Sequence, residues 1–271
     1  MDDKGEKLGI KSVEVAGRLL TAMIQAGRPA ALKDLAHMAG MSPGKAHRYL
    51  VSLVRLQLVA QEPASGHYHI GPMAIALGLS GMRSLNVVRT ANELMPTLRN
   101  EIDETVMLLI WGRSGPIVYG FEESSRPVFM NVRVGSILPM LTTAAGLLFA
   151  AYLPEDQTRE IVEAERAKVA AGGTARPSAT DWAMRVEQVR ETGLARSVGE
   201  FLPGVNAVAA PIFDHKGRIA AVIGALGRSE EIDVDLDGAV AAAVRSTARE
   251  ASWRLGHIED TAEIPLPSAV D

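Results

Sequence analysis

Apolar residues recur at helical spacing from Val13 through Ala16, Leu19, Leu20, Met23 and Ile24, and Gly27 ends the run. Ser12 stands at the position of an N-cap. A shorter helix is predicted over 33–39, with Leu32, Leu35, Ala36 and Ala39 as its apolar side and Gly40 as its stop. One residue later, Ser42 and Pro43 pair an N-cap with a first-turn proline, and a third helix is predicted to run to about Leu56. Two helices joined by a short glycine-containing turn form a helix-turn-helix pattern. At ~100° per residue the third helix divides into two arcs. Ala46, Tyr49, Leu50, Leu53 and Val54 face one way. Gly44, Lys45, His47, Arg48, Ser52 and Arg55 face the other, with Val51 the only apolar residue among them.

Leu58, Val59 and Ala60 then read as extended, Ser65-Gly66 as a turn, and His67 to Ile70 as a returning strand. A hairpin placed directly after such a helix is a wing, with Ser65, Gly66 and His67 at its tip. Gly71-Pro72 closes this head. Residues 73–85 are helix-compatible and rich in Ala, Leu and Met, and a longer amphipathic helix follows over 87–102, with Pro96 expected to kink or divide it. Strands are predicted over 106–111, 117–122 and 128–134, and helices over 142–152, 156–169 and 180–191, the last two separated by Ala171-Gly172-Gly173. Apolar strands over 205–213 and 218–226 flank the turn Asp214-His215-Lys216-Gly217, and a final helix spans about 234–255. Hairpins mixed with helices indicate an α+β domain around an antiparallel sheet. The expected division is a tail at 1–9, a winged helix-turn-helix domain at 10–72, a linker helix at 73–86, a larger domain at 87–257 and a tail at 258–271.

Charge sharpens this division. The 271-residue chain has a net charge of −4. Residues 11–73 nevertheless carry seven basic residues (Lys11, Arg18, Arg28, Lys33, Lys45, Arg48 and Arg55) against three acids (Glu14, Asp34 and Glu62). One part of the chain is therefore suited to a polyanion and the rest is not. The outward arc of the third helix has cations and donors but no acid, whereas solvated faces ordinarily mix both signs. Such a face fits a major groove: Lys and Arg meet phosphates and guanine edges, and glycine permits close approach. Ser42, Gly44, Lys45, His47, Arg48, Ser52 and Arg55, with the wing residues Ser65, Gly66 and His67, are the candidate contacts to double-stranded DNA.

The chain has no cysteine, which removes disulfides, thiol catalysis and cysteine metal sites. The first ten residues lack an apolar signal core, and no apolar run approaches the ~20 residues of a membrane span, so the expectation is a cytoplasmic protein without a membrane partner. No nucleophile elbow, zinc-protease motif, P-loop or dinucleotide fingerprint is present. His37, His47, His67 and His69 are dispersed and have no acid pair nearby, so no metal is expected, and no cofactor either. Glu122 and Glu123 read as a surface pair and Trp111 as core. An enzyme using the head as an oligomerisation module, or an adaptor with a degenerate head, remains the competing reading.

The segment Ile10-Lys11-Ser12-Val13-Glu14, the run from Gly40 through Ser42-Pro43-Gly44-Lys45 to Leu50, and Tyr68-His69-Ile70-Gly71-Pro72 resemble the IclR family of bacterial regulators. The resemblance continues through Val132-Arg133-Val134-Gly135-Ser136, Leu138-Pro139, Thr142 to Gly146, Glu200, Pro203-Gly204-Val205 and the stretch from Ala207 to Asp214, covering about residues 10–257. It implies a winged head that dimerises, a linker helix and a GAF-like effector domain. It also implies operator binding as a homodimer or dimer of dimers, and a response to a small organic acid or aromatic metabolite. By this resemblance Leu138, Met140, Thr143, Ala144, Ala145, Gly146, Ser197, Glu200, Ala207, Gly224 and Leu226 are the effector-site candidates.

Several positions depart from the family pattern. Gly44-Lys45 stand where Ser-Thr is frequent. Leu141 and Leu147 replace a His and a Lys, Ser197 replaces an acid, and Ala207, Gly224 and Leu226 replace polar or cysteine positions. The implied pocket is apolar and suits a bulkier, partly aromatic effector held by shape and a few backbone groups. Thr143 and the amides of Ala144, Ala145 and Gly146, at a helix start, offer a place for a carboxylate.

Overall fold

A computed structural model gives the structure of residues 9–126, 132–172 and 179–258. The contacts form two units, with the boundary between Ser84 and Leu85.

The first unit comprises α1 (Lys11–Ala26), α2 (Leu32–Met38), α3 (Pro43–Arg55), β1 (Val59–Gln61), β2 (Tyr68–Ile70) and α4 (Pro72–Ser84). Leu19, Leu35, Ala46, Leu50 and Leu53 meet in one buried cluster, so the apolar arcs of all three leading helices converge. Ser12 does not cap α1. The helix starts at Lys11, and the Ile10 carbonyl already accepts the Val13 amide at 2.8 Å, which places Ser12 inside the first turn. Gly40 sits at φ +61° in the turn between α2 and α3, a left-handed conformation that suits glycine, and its carbonyl accepts Arg18 Nη2 at 3.5 Å. β1 and β2 pair antiparallel, and Ala30 bridges to Tyr68 on the far side of β2. The start of α4 is tied to the head through the Met73 amide, which donates to the Gln57 carbonyl at 3.0 Å.

The second unit is α+β. A five-stranded antiparallel sheet has the order β4-β3-β7-β6-β5, built from β3 (Thr105–Gly112), β4 (Gly115–Glu122), β5 (Ala195–Val198), β6 (Val205–Phe213) and β7 (Ile219–Arg228). Period-two alternation sends each strand's side chains to opposite faces. Val106 and Leu108 of β3, Val208 and Ala210 of β6, and Ile223 of β7 pack with α5 (Val87–Ile102) and α9 (Ala239–Arg254). Met107, Leu109, Ala209 and Val222 instead face α6 (Ala144–Tyr152), whose Leu148 and Phe149 are fully buried. Behind α6 lie α7 (Glu155–Gly172) and α8 (Ala179–Thr192).

Several local expectations need correction. Pro96 does not divide α5, which is one helix through it: Ala91, Met95 and Leu98 are buried along one side, and that packing outweighs one missing amide hydrogen bond. α9 starts at Ala239 rather than near 234 because Asp233 and Asp235 each accept the amide two residues on, at 2.9 and 3.2 Å, holding the preceding stretch in turns. β5 went unpredicted. Of the expected strand at 128–134, residues 128–131 lie outside the described residues, and 132–134 are not strand. Ala171 and Gly172 belong to α7 rather than to a loop, and Gly173 lies outside the described residues. No helix among the described residues is long and apolar enough to cross a membrane.

Candidate functional site

α3 is built to present one side. Ser42 Oγ accepts the Lys45 amide at 3.4 Å, Pro43 occupies the first turn, and Ala46, Leu50 and Leu53 are buried. The opposite side leaves Ser42, Gly44, Lys45, His47, Arg48, Ser52 and Arg55 exposed. Among the described residues, no hydrogen bond or ion pair engages the side chains of Lys45, His47, Arg48 or Arg55. Ser52 Oγ donates back to the Arg48 carbonyl at 3.4 Å. A methyl built on Gly44 would meet nothing within 4 Å, so packing does not require glycine there.

The wing tip is tied to itself. Gly66 has φ +71°, and its carbonyl accepts Gln61 Nε2 at 2.9 Å. Ser65 Oγ donates to the Glu62 carboxylate and accepts the His67 amide at 3.2 Å. Ser65 is exposed and Gly66 and His67 are half-buried. A carboxylate therefore sits beside Ser65, which makes this side of the tip less hospitable to phosphate than α3.

Between the sheet and the start of α6 lies a cavity of about 70 Å³. Small side chains open it: Ala207 and Ala209 on β6 and Gly224 on β7 stand below Ala144 and Ala145 of α6. Leu138, Thr143, Ser197 and Leu226 join them, so eight of the predicted positions share one wall. Met140, Gly146 and Glu200 do not line it. Met140 is fully buried beside the helix start, and a methyl on Gly146 would strike the Met140 carbonyl oxygen at 2.1 Å, so Gly146 serves close packing. Glu200 turns away, and its Oε2 pairs with Arg185 Nη1 at 3.0 Å.

Hydrogen bonding at this cavity is nearly saturated. Thr143 Oγ1 donates to the Pro139 carbonyl at 2.6 Å and accepts the Gly146 amide at 3.0 Å. Ser197 Oγ donates to the Thr142 carbonyl at 2.8 Å. Glu165 of α7 accepts the Met140 and Leu141 amides at 2.7 and 3.1 Å, fixing the loop that carries Leu138 and Thr143. The amides of Ala144 and Ala145, at the N-terminus of α6, have no hydrogen-bond partner among the described residues. The Gly146 amide is already taken, which narrows the expected anion-holding group to those two.

The clearest titration shifts lie outside the cavity. Burial pushes the Glu104 carboxyl above its usual range, opposed by Arg126, whose Nη2 is 3.0 Å away. Arg126 also reaches Glu231 at 3.5 Å and Asp103 at 3.7 Å. Hydrogen bonds from the Ser125 hydroxyl and amide hold Asp103 below its usual range. Among the described residues, no group of three or more His, Cys, Asp or Glu is arranged to hold a metal ion.

Residues 12–63 match the model of the IclR helix-turn-helix domain, and residues 80–253 match that of the bacterial transcriptional regulator IclR C-terminal domain. The chain belongs to the IclR family. It is 28% identical over 252 residues to the glycerol operon regulatory protein of Streptomyces coelicolor, covering 91% of this chain and 97% of that one. It is 26% identical to the transcriptional repressor IclR of Escherichia coli, covering 91% and 90%. The crystal structure of Pseudomonas aeruginosa HmgR superposes with a TM-score of 0.82 at 34% identity, covering 92% of this chain and 100% of that one. This IclR-family chain is thus a transcriptional regulator with a DNA-binding helix-turn-helix domain and a C-terminal α+β domain. These relatives are regulators by name, and none is named as an enzyme.

The family resemblance places the loop from Phe201 to Pro203 at the border of the effector site, and Phe201 and Leu202 do line the cavity; sequence reasoning missed Met107, Leu109 and Ala209. Alternation along β6 pairs Ala209 with Ala207 and was available as a signal. Nothing in the spacing links Glu165 to Met140 and Leu141.

Proposed function

We propose that this regulator binds double-stranded operator DNA through α3, and that a small organic acid in the cavity, aromatic acids included, modulates that binding. The protein acts in the cytoplasm as a homodimer or dimer of dimers. The observation that carries the DNA reading is the outward side of α3, where Lys45, Arg48 and Arg55 stand exposed and unpaired with no acid among them. Support for a second copy comes from α4 and α1. Met73, Ile75, Leu77 and Leu79 are 45–58% exposed on two sides of α4, and Ile10 and Val13 are exposed on or beside α1. Apolar surface of this kind calls for cover, and paired heads match paired half-sites.

The effector class follows from the cavity. Apolar walls and two free amides suit one carboxylate on an apolar body, not a dianion. At about 70 Å³ the space is smaller than the roughly 150 Å³ that admits benzene, so a ring-bearing acid must move part of the wall as it enters. An occupied cavity that repositions the heads through α4 would change the spacing offered to DNA.

A thermal-shift panel of monocarboxylic and dicarboxylic acids, followed by operator titrations with the hits, tests this reading. A ligand at 100 times its Kd stabilises by about 2.7 kcal/mol, a rise of ~5–10 °C for a domain of this size. Hits that leave operator affinity and footprint unchanged would refute effector control.

A further inference from the structure

We infer that the turn joining β5 to β6, residues 199–204, is the door of the cavity and that the Arg185–Glu200 ion pair is its bolt; the inference rests on the effector reading for its biological meaning. Burial locates the mouth. Most residues lining the cavity are buried, and the most accessible are Phe201, Leu202, Val205 and Ala207. All four lie on this turn or at the start of β6. The entrance is therefore here, and Phe201 and Leu202 narrow it.

The turn is built to swing. Gly199 and Gly204 bound it at φ +64° and +78°, the left-handed region, and a methyl on either would meet nothing within 4 Å. Backbone conformation, not side-chain packing, requires glycine at both ends, as expected of hinge positions; the backbone ties there are the Gly199 amide to the Val205 carbonyl at 3.1 Å and the Ser229 amide to the Gly204 carbonyl at 2.9 Å. Between them the side chains split by role: Phe201 and Leu202 point to the cavity, while Glu200 points outward to α8. There Arg185 holds Glu200 through Nη1 at 3.0 Å and donates from Nη2 to the Arg196 carbonyl of β5 at 3.3 Å. One guanidinium thus supplies the side-chain tie of the door to α8 and β5. Its partly exposed setting, with side chains 25% and 32% accessible, makes the tie breakable and sensitive to salt. Such a device reconciles a cavity of about 70 Å³, smaller than most ligands, with a cavity that takes one.

Xenon tests this without knowledge of the effector, because it enters dry apolar cavities and needs no charge partner. Its exchange with the full-length protein is read by 129Xe NMR line broadening. Glu200→Gln and Arg185→Met are each expected to speed exchange about fivefold, the scale of one exposed pair, with xenon affinity unchanged because entry and exit accelerate together. Raising salt should speed exchange in the unsubstituted protein and not in the Glu200→Gln protein. The chain has no cysteine, so Arg185→Cys with Glu200→Cys can be bridged by a short bis-maleimide, which should slow exchange at least about tenfold. Rates within twofold across all these forms, or no xenon entry in any of them, would overturn the door. Rates that respond while no acid alters operator binding would keep the door and remove the effector reading.

Discussion

Lys45→Ala isolates the electrostatic part of DNA binding. Each head presents three exposed, unpaired cations on α3, namely Lys45, Arg48 and Arg55, so two heads present six. Each phosphate neutralised contributes about −0.9 to the slope of log K against log salt. Six contacts give a slope near −5.4 and an affinity loss of about two-thousandfold between 50 and 200 mM salt. Removing Lys45 from both copies should bring the slope to about −3.6 and the loss to about 150-fold. Fluorescence anisotropy with a labelled operator duplex, titrated at five or six salt concentrations, measures both lines. The same experiment on a scrambled duplex separates roles: Lys45→Ala should weaken both duplexes alike. Arg48→Ala should likewise flatten the salt slope and, if its guanidinium also reads a base edge, cost a further ~1–3 kcal/mol on the operator that the scrambled duplex does not show. A Lys45→Ala slope indistinguishable from that of the parent protein would refute the placement of this side of α3 against phosphate.

Gly44→Ala should keep or raise head stability, by up to about 1 kcal/mol from helix propensity, because the added methyl meets no neighbour. It should nonetheless weaken operator binding by ~1.5 kcal/mol or more if the backbone approaches the duplex; equal anisotropy curves would contradict that. Ala207→Leu projects three further carbons into a space of about 70 Å³, so the acid-induced thermal shift should vanish while operator affinity persists. For Glu104, burial raises the carboxyl. The stability tied to that group is fully present below its ordinary value near 4.5 and is lost as pH rises through the raised value. Urea denaturation from pH 4 to 7 should therefore show the parent protein losing stability relative to Glu104→Gln as pH rises, and the opposite trend would overturn the assignment.

The head was legible because its signals are local. Ser42 and Pro43 mark the start of α3 within two residues, and the wheel count already sorts Leu50 and Leu53 from Arg48 and Arg55. Where a long-range contact decided the outcome, the sequence misled. Pro96 reads as a break, but burial of Met95 and Leu98 carries α5 through it. The four residues of β5 are too few to show a period, and pairing with β6 makes them a strand. The cavity was half legible. Ala207, Gly224, Leu226 and Glu200 were all implied by the family resemblance; the three strand residues line the cavity because strand pairing fixes their face, whereas Glu200 lies in a turn, where no periodicity tells which way a side chain points. Its partner Arg185 is 15 residues away on another element.

The hydroxyls of Thr143 and Ser197 are committed to neighbouring carbonyls. They therefore brace the scaffold and, on the proposed effector reading, leave chemical discrimination to apolar wall positions such as Ala207. On that reading, ligand preference and the bracing of the cavity rest on different residues. A lineage with this architecture can then exchange one effector for another at positions such as Ala207, with the Thr143 and Ser197 bonds left in place.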